Sequence, residues 1–150
     1  MGSIGETFGR KVYLDANFFI YFLEGSEPWA SPARGISTAL DRGECTAVTS
    51  ELSLAECLVK PMASGQVEFI RTYLGMLQDR RSLSLVQVTR NILIDAARLR
   101  AHSRIKLPDA IHAATALQSE CASFLTNDDR LNIPGIRMIR WRDLGSFSQE

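Results

Sequence analysis

The sequence predicts an α/β fold in which helices cover both faces of a parallel β-sheet. Short apolar runs alternate with longer segments of helical periodicity along most of the 150 residues, which is the pattern of parallel strands joined by crossover helices. The apolar runs end abruptly at polar residues, as expected for strands buried on both faces. A chain of this length forms about one domain, and its sequence contains neither internal repeats nor low-complexity segments.

Five short apolar runs are predicted as strands. The first ends abruptly at Asp15. The second begins at Cys45, is rich in β-branched residues and is followed by Ser50, a good helix cap. The predicted strands comprise residues 11–14, 45–49, 83–88, 123–126 and 137–141.

Capping residues and helical periodicity predict the segments between the strands. Asn17 can cap the first helix, which stops at Gly25, and Ser50 can cap the third. Apolar residues at i, i+1, i+4, i+5 and i+8 within residues 67–79 form one stripe of an amphipathic helix. Helices are predicted over residues 18–24, 51–60, 67–79, 92–104 and 108–120. A further helix, after the first of these, is predicted to end at about residues 42–43.

Composition and charge limit the classes of protein to which the chain can belong. Hydrophobic residues make up 45% and charged residues 23% of the chain, and 17 basic residues balance 17 acidic ones. This neutrality argues against a protein that coats nucleic acid through its bulk charge, although a local basic groove is compatible with it. Three cysteines without a CxxC spacing, beside two histidines, disfavour a disulfide framework and a zinc site.

The chain is expected to form one reduced, cytoplasmic domain that does not enter a membrane. Its apolar runs are far shorter than the roughly 20 residues that a membrane span requires. The N-terminal segment lacks the apolar centre of a signal peptide. We expect a loose lead-in over residues 1–10, one folded domain over residues 11–143 and a tail over residues 144–150.

Four acidic side chains are predicted near the edge of the sheet where ligands bind in such folds. Asp15 and Asp128 follow the first and fourth strands, and ligands bind at the carboxyl ends of parallel strands. Glu56 lies at the border of the apolar face of its helix, and Asp109 lies in a first helical turn. Each acid also has an ordinary interpretation, as a helix cap, a partner of the helix dipole or a surface residue.

Four carboxylates at one edge of a sheet need a cation to coexist. Their mutual repulsion raises their pKa values and destabilises the fold unless a cation gathers them. Oxygen ligands without His or Cys select Mg²⁺ or Mn²⁺ rather than zinc. Because Mg²⁺ held by few carboxylates keeps several waters, this pattern suits metal-assisted hydrolysis of phosphodiesters.

Four motifs stand in a recognisable order along the chain. They are VYLDAN at residues 12–17, TSELSLAE at residues 49–56, LPDAIHAATA at residues 107–116 and FLTND at residues 124–128. Together they resemble the PIN-domain ribonucleases, most closely the VapC-type toxins of bacterial toxin–antitoxin pairs. The resemblance runs from Lys11 to Asp143, and the third motif is its most specific part.

The resemblance implies a PIN-like three-layer fold with a central parallel sheet in the order 3-2-1-4-5. It also implies an endoribonuclease that depends on Mg²⁺ or Mn²⁺ and hydrolyses RNA phosphodiester bonds. By this likeness the catalytic, metal-binding acids are Asp15, Glu56, Asp109 and Asp128. Asn17 and Thr126 match supporting polar positions that orient the acids or a metal-bound water. Toxins of the family usually dimerise and are silenced by a small antitoxin protein.

Two of the acidic positions have competitors in the sequence. Asp129 adjoins Asp128, which we prefer because it is closer to the end of the strand. Glu51 competes with Glu56, but at the start of its helix it suits a first-turn dipole residue. His112 lies one turn from Asp109 and is expected in a core or supporting role rather than as a metal ligand.

Two cations flank the acidic motifs and are the best candidates for phosphate contacts. Lys106 precedes the third motif and Arg130 follows the fourth, whereas the other arginines in the second half of the chain are at least as compatible with a solvated face. The aromatic residues after Asn17 are expected in the core or in a homodimer interface formed by the first helices.

The leading hypothesis is therefore the toxin of a type II toxin–antitoxin pair, with RNA as its substrate and a cognate antitoxin as its partner. Two alternatives stay open: a PIN-like module that binds RNA or protein without catalysis, and a PIN nuclease that is not a toxin. A phosphatase of the haloacid-dehalogenase kind is disfavoured, because its chemistry needs a second Asp two residues after the first and Asn17 stands there.

Overall fold

A computed structural model of the protein describes residues 3–144. Its strands are β1 (Lys11–Leu14), β2 (Thr46–Ser50), β3 (Leu83–Val86), β4 (Ser123–Thr126) and β5 (Arg137–Arg140). Neighbouring strands are parallel, and their order is β3-β2-β1-β4-β5. This topology confirms the predicted α/β class and the order 3-2-1-4-5.

Helices connect the strands and cover both faces of the sheet. They are α1 (Ile4–Phe8), α2 (Ala16–Glu24), α3 (Ala30–Asp41), α4 (Glu51–Ser64), α5 (Val67–Met76), α6 (Arg90–Ala101) and α7 (Leu107–Gln118), with a 3-10 helix over Trp141–Leu144. Val12 and Leu14 enter a core formed with α1 to α5, whereas Tyr13 enters a core that includes α7. Because successive side chains of β1 point to opposite faces, the sheet lies between two buried cores.

The beginning and end of the chain differ from the expected boundaries. Residues 3–10, expected as part of a loose lead-in, contain helix α1, which Ser3 and Glu6 stabilise through a reciprocal capping box. Ile4 and Phe8 anchor this helix in the core. Leu144, expected in the tail, is also buried. The remainder of that tail, residues 145–150, lies outside the described residues.

The first crossover helix begins two residues earlier than predicted. Asp15, rather than Asn17, is its N-cap, and its Oδ1 accepts a hydrogen bond of 3.0 Å from the Asn17 N–H. The third predicted helix, α4, extends past residue 60 and ends at Gly65, whose positive φ of 65° favours glycine. The helix predicted over residues 67–79 ends at Met76.

Two further features agree with the sequence analysis. The three cysteines at positions 45, 57 and 121 are free and buried. Across residues 3–144, the helices are all too short or too polar to cross a membrane.

Candidate active site

Asp15 occupies the carboxyl end of the central strand, where it both caps α2 and faces other acids. Its side chain is half-buried, and its contact with the Asn17 N–H holds it at the start of the helix. Burial is the largest cause of a rise in the pKa of Asp15 from 3.8 to about 6. The negative charges of Glu56 and Asp109 also raise this pKa, and His112 opposes them. Asp15 therefore lies within the field of two other carboxylates.

Asp109 lies in the first turn of α7, whose N-cap is Lys106. Burial is the main cause that raises the pKa of the Asp109 carboxyl, and the charges of Asp128 and Glu56 add to it. The charges of His112 and Lys106 act in the opposite direction. Together with Asp15, these acids are electrostatically coupled, although they come from four separate parts of the chain. We call Asp15, Glu56, Asp109 and Asp128 the acidic cluster.

Asp128 follows β4 in a turn that fixes its position. Its backbone N–H donates to the buried Thr126 hydroxyl at 3.0 Å, and its Oδ1 accepts from the Arg130 N–H at 2.9 Å. The neighbouring Asp129 instead forms an ion pair with Arg142 at 2.7 Å, and both side chains are exposed. The structure therefore places Asp128, and not Asp129, within the field of Asp109.

Glu56 reaches the acidic cluster from α4 and is held by a histidine. His112 Nε2 lies 2.6 Å from Glu56 Oε1, and His112 Nδ1 lies 2.5 Å from the Tyr13 hydroxyl. His112 is buried and contacts both Tyr13 and Glu56. Glu51 occupies the first turn of α4, whereas Glu56 is the acid that raises the pKa of Asp15.

The two supporting polar residues differ in what they contact. The Thr126 hydroxyl accepts the hydrogen bond of the Asp128 backbone N–H. Asn17 contacts Asp15 through its backbone N–H. Sequence reasoning missed Tyr13, and the available signal was a single hydroxyl-bearing residue in an otherwise apolar strand that ends at an acid.

The donor set fits a hard divalent cation. Within residues 3–144, however, no three His, Cys, Asp or Glu side chains already surround a common point that could hold a metal ion. The acids of the cluster are close enough to shift one another's pKa values. Because Mg²⁺ typically takes one or two carboxylates and completes its shell with water, a closed protein cage is not required.

A groove of about 850 Å³ is lined by residues of α6, of α7 and of the segment after β4. Asp109 and Asp128 of the acidic cluster are among its lining residues, and we call it the α6–α7 groove. Its lining includes the cations Arg98, Arg104, Lys106 and Arg130 and the apolar side chains Leu99, Ile105, Leu117 and Ile133. An apolar surface bordered by cations beside clustered acids can hold a polyanion with flat apolar groups.

Three solved structures share this fold with the chain. One is a toxin–antitoxin complex from Klebsiella pneumoniae, with 23% identity and a TM-score of 0.60 over 84% of this chain and 94% of that one. Another is VapBC2 from Rickettsia felis bound to a DNA fragment from its promoter, with 17% identity and a TM-score of 0.66 over 87% and 98%. The third is VapC20 of Mycobacterium tuberculosis, described as a Sarcin-Ricin loop cleaving toxin, with 11% identity and a TM-score of 0.65 over 84% and 98%.

Comparison at the level of sequence identifies the family. None of the curated protein sequences matches the chain. The family model of the PIN domain, however, matches residues 12–135, which include all four residues of the acidic cluster. Since this match covers most of the chain and the strand order is the one that the PIN fold requires, the protein belongs to the PIN domain family.

Proposed function

We propose that the protein is a metal-dependent endoribonuclease and the toxin of a type II toxin–antitoxin pair. The observation that carries the proposal is the acidic cluster, in which Asp15 and Asp109 have pKa values raised by burial and by neighbouring carboxylates. Such crowding is costly in the free protein and is relieved by a divalent cation. The cluster also opens onto the α6–α7 groove, which gives a polyanion access to it.

Mg²⁺ or Mn²⁺ would be held by Asp15, Glu56, Asp109 and Asp128. When bound, such a cation supplies an activated water and neutralises charge on the scissile phosphate. The protein's own contribution is to fix the acids. Asp15 is anchored by the start of α2, and Asp128 is anchored by Thr126. Lys106, which lowers the pKa of Asp109 through its positive charge, is close enough to this acid to attract a phosphate to the same place.

The experiment that tests this function compares two adjacent acids. With Mg²⁺ or Mn²⁺ and a panel of structured RNAs, we expect Asp128→Asn to lower the cleavage rate by about 10²-fold, because a carboxylate beside the reacting phosphate is lost. The matched control Asp129→Asn should cut normally, since Asp129 pairs with Arg142 at the surface. Chelation with EDTA should stop cleavage.

Two outcomes would contradict the proposal. If the protein binds RNA without cutting it under any of these metal conditions, it is a binding module. If Asp128→Asn and Asp129→Asn cut as well as the wild type, the acidic cluster is not the active centre.

The α6–α7 groove is proposed as the path of the RNA. We expect Lys106→Met to weaken RNA binding and to reduce the slope of log affinity against log salt by about 0.7, the value for one phosphate contact of a single strand. Lys60→Met is the matched control, because Lys60 lies on α4 near Glu24, is exposed and does not line the groove. Equal salt slopes for both variants, measured by fluorescence anisotropy, would exclude this path.

A cognate antitoxin and a second copy of the chain are the proposed protein partners. Two of the neighbours above are described as a toxin–antitoxin complex and as VapBC2, which supports an antitoxin partner here. For the homodimer, the expected interface was the first helices, but Phe18 and Phe19 of α2 are buried in the core. Among the described residues, large exposed apolar side chains are found instead on α4 to α7, namely Val59, Met62, Val67, Leu74, Leu93, Ile94, Leu107 and Leu117.

A further inference from the structure

A chain of hydrogen bonds runs from the interior of the sheet to the acidic cluster. The Tyr13 hydroxyl lies 2.5 Å from His112 Nδ1, and His112 Nε2 lies 2.6 Å from Glu56 Oε1. Tyr13 is 0% exposed and His112 is 2% exposed, so water does not compete for the bond between them. The Glu56 side chain is 35% exposed, which leaves it open to an ion from solvent.

The Glu56 carboxylate fixes the direction of this chain of hydrogen bonds. A carboxylate can only accept, so His112 Nε2 carries the proton of its bond to Glu56 Oε1. In a neutral imidazole the other nitrogen is then an acceptor, so the Tyr13 hydroxyl donates to His112 Nδ1.

This chain of hydrogen bonds connects the three elements that carry three of the acids. Tyr13 lies on β1, two residues before Asp15, and His112 lies on α7, three residues after Asp109. Glu56 lies on α4. The same hydrogen bonds therefore tie together the strand end and the two helices from which these acids project.

We propose that Tyr13 and His112 are positioning residues that orient the Glu56 carboxylate for a divalent cation, with Oε1 engaged by His112 and the second oxygen left for the ion. This inference rests on the proposed function. A histidine that merely satisfies a polar group in the core would stabilise the fold without affecting metal affinity. Removing the hydrogen-bond partner of a metal-binding side chain typically lowers metal affinity 10- to 100-fold. A positioning role therefore predicts a loss of metal affinity, whereas a purely structural role predicts none.

The decisive experiment measures Mn²⁺ affinity by calorimetry. We expect Tyr13→Phe to weaken Mn²⁺ binding about 10-fold, because His112 loses the donor that fixes its tautomer. Tyr73→Phe is the matched control. Tyr73 is another fully buried tyrosine, and its hydroxyl donates to Glu24 Oε2 at 2.6 Å away from the acidic cluster. The Tyr73→Phe variant should lose about as much stability as Tyr13→Phe does, and it should bind Mn²⁺ like the wild type.

A double-variant cycle separates positioning from general damage to the fold. If Tyr13 acts through Glu56, then Tyr13→Phe should add nothing to the loss of Mn²⁺ affinity that Glu56→Gln causes alone. His112→Leu should weaken binding 10- to 100-fold, and His112→Gln, which keeps an N–H donor, should restore part of that loss. Additive losses in the cycle would mean that Tyr13 acts only on the fold, which overturns the proposal.

The protonation of the His112 ring supplies a readout that needs no metal. Ring ¹⁵N NMR of the metal-free protein should show the Nε2–H tautomer of His112, and Tyr13→Phe should change that signal. An Nδ1–H tautomer in the wild type would overturn the positioning role. If the wild type takes up no Mn²⁺, the proposed function itself fails, whereas unchanged uptake by Tyr13→Phe defeats only the role of Tyr13 and His112.

Discussion

Replacing Asp15 with Asn is expected to abolish RNA cleavage, by about 10³-fold or more, while leaving the fold intact. Asp15 directly follows the middle strand of the sheet and lies within the field of Glu56 and Asp109. Removing its charge weakens the hold on a cation and the stabilisation of the transition state together. Asn is as good a helix cap as Asp, so α2 should keep its start.

Stability measurements distinguish this outcome from unfolding. The melting temperature of metal-free Asp15→Asn at neutral pH should equal or exceed that of the wild type, because the crowded charge is gone. Asp15→Ala should be inactive as well, but it should also lose about 1 kcal/mol from the missing cap. Full cleavage by Asp15→Asn would exclude Asp15 from the active centre.

The contribution of Asp15 to the stability of the metal-free protein is expected to fall as the pH rises. The pKa of Asp15 is about 6 in the folded state, against 3.8 as its ordinary value. Between these values the folded protein holds a proton that the unfolded chain has released, so folding becomes less favourable as pH increases. The contribution is complete below pH 4 and is lost once the pH passes 6. A shift of this size corresponds to at most about 3 kcal/mol.

Denaturant unfolding of the wild type and of Asp15→Asn in EDTA measures this contribution. The difference in unfolding free energy between them should be small near pH 4 and should grow to as much as about 3 kcal/mol in favour of Asp15→Asn by pH 7.5. Saturating Mn²⁺ should stabilise the wild type most at neutral pH, where its carboxylates are ionised. A difference that does not vary with pH would show that Asp15 is not crowded.

The sequence predicted those features that depend on local pattern. Apolar runs that end at acids located β1 and β4, and the motif around Asp109 located the start of α7. The confirmed strand order came from the resemblance to a family, because pairing between distant strands leaves little trace in a single sequence. Two residues, Asp15 and Asn17, could cap α2, and the structure shows that Asp15 is the cap, because its side chain accepts the hydrogen bond of the Asn17 N–H.

Other features were hidden because they depend on tertiary contacts. Residues 3–10 are polar and rich in glycine, so the short helix α1 is evident only from the reciprocal contact between Ser3 and Glu6 and from the burial of Phe8. Tyr13 and His112 are 99 positions apart, and their hydrogen bond follows from the pairing of β1 with its neighbours and the packing of α7. The α6–α7 groove likewise forms only when α6, α7 and the segment after β4 pack together.

The most direct test of the acidic cluster is a crystal structure of the protein grown with Mn²⁺ and measured at the manganese absorption edge. We predict an anomalous peak within about 2.1–2.4 Å of carboxylate oxygens of at least two of the four acids. Asp15 should be among these ligands, and waters should complete the coordination shell. No peak near Asp15, or full occupancy of Mn²⁺ elsewhere on the molecule, would contradict a metal-dependent centre at this edge of the sheet.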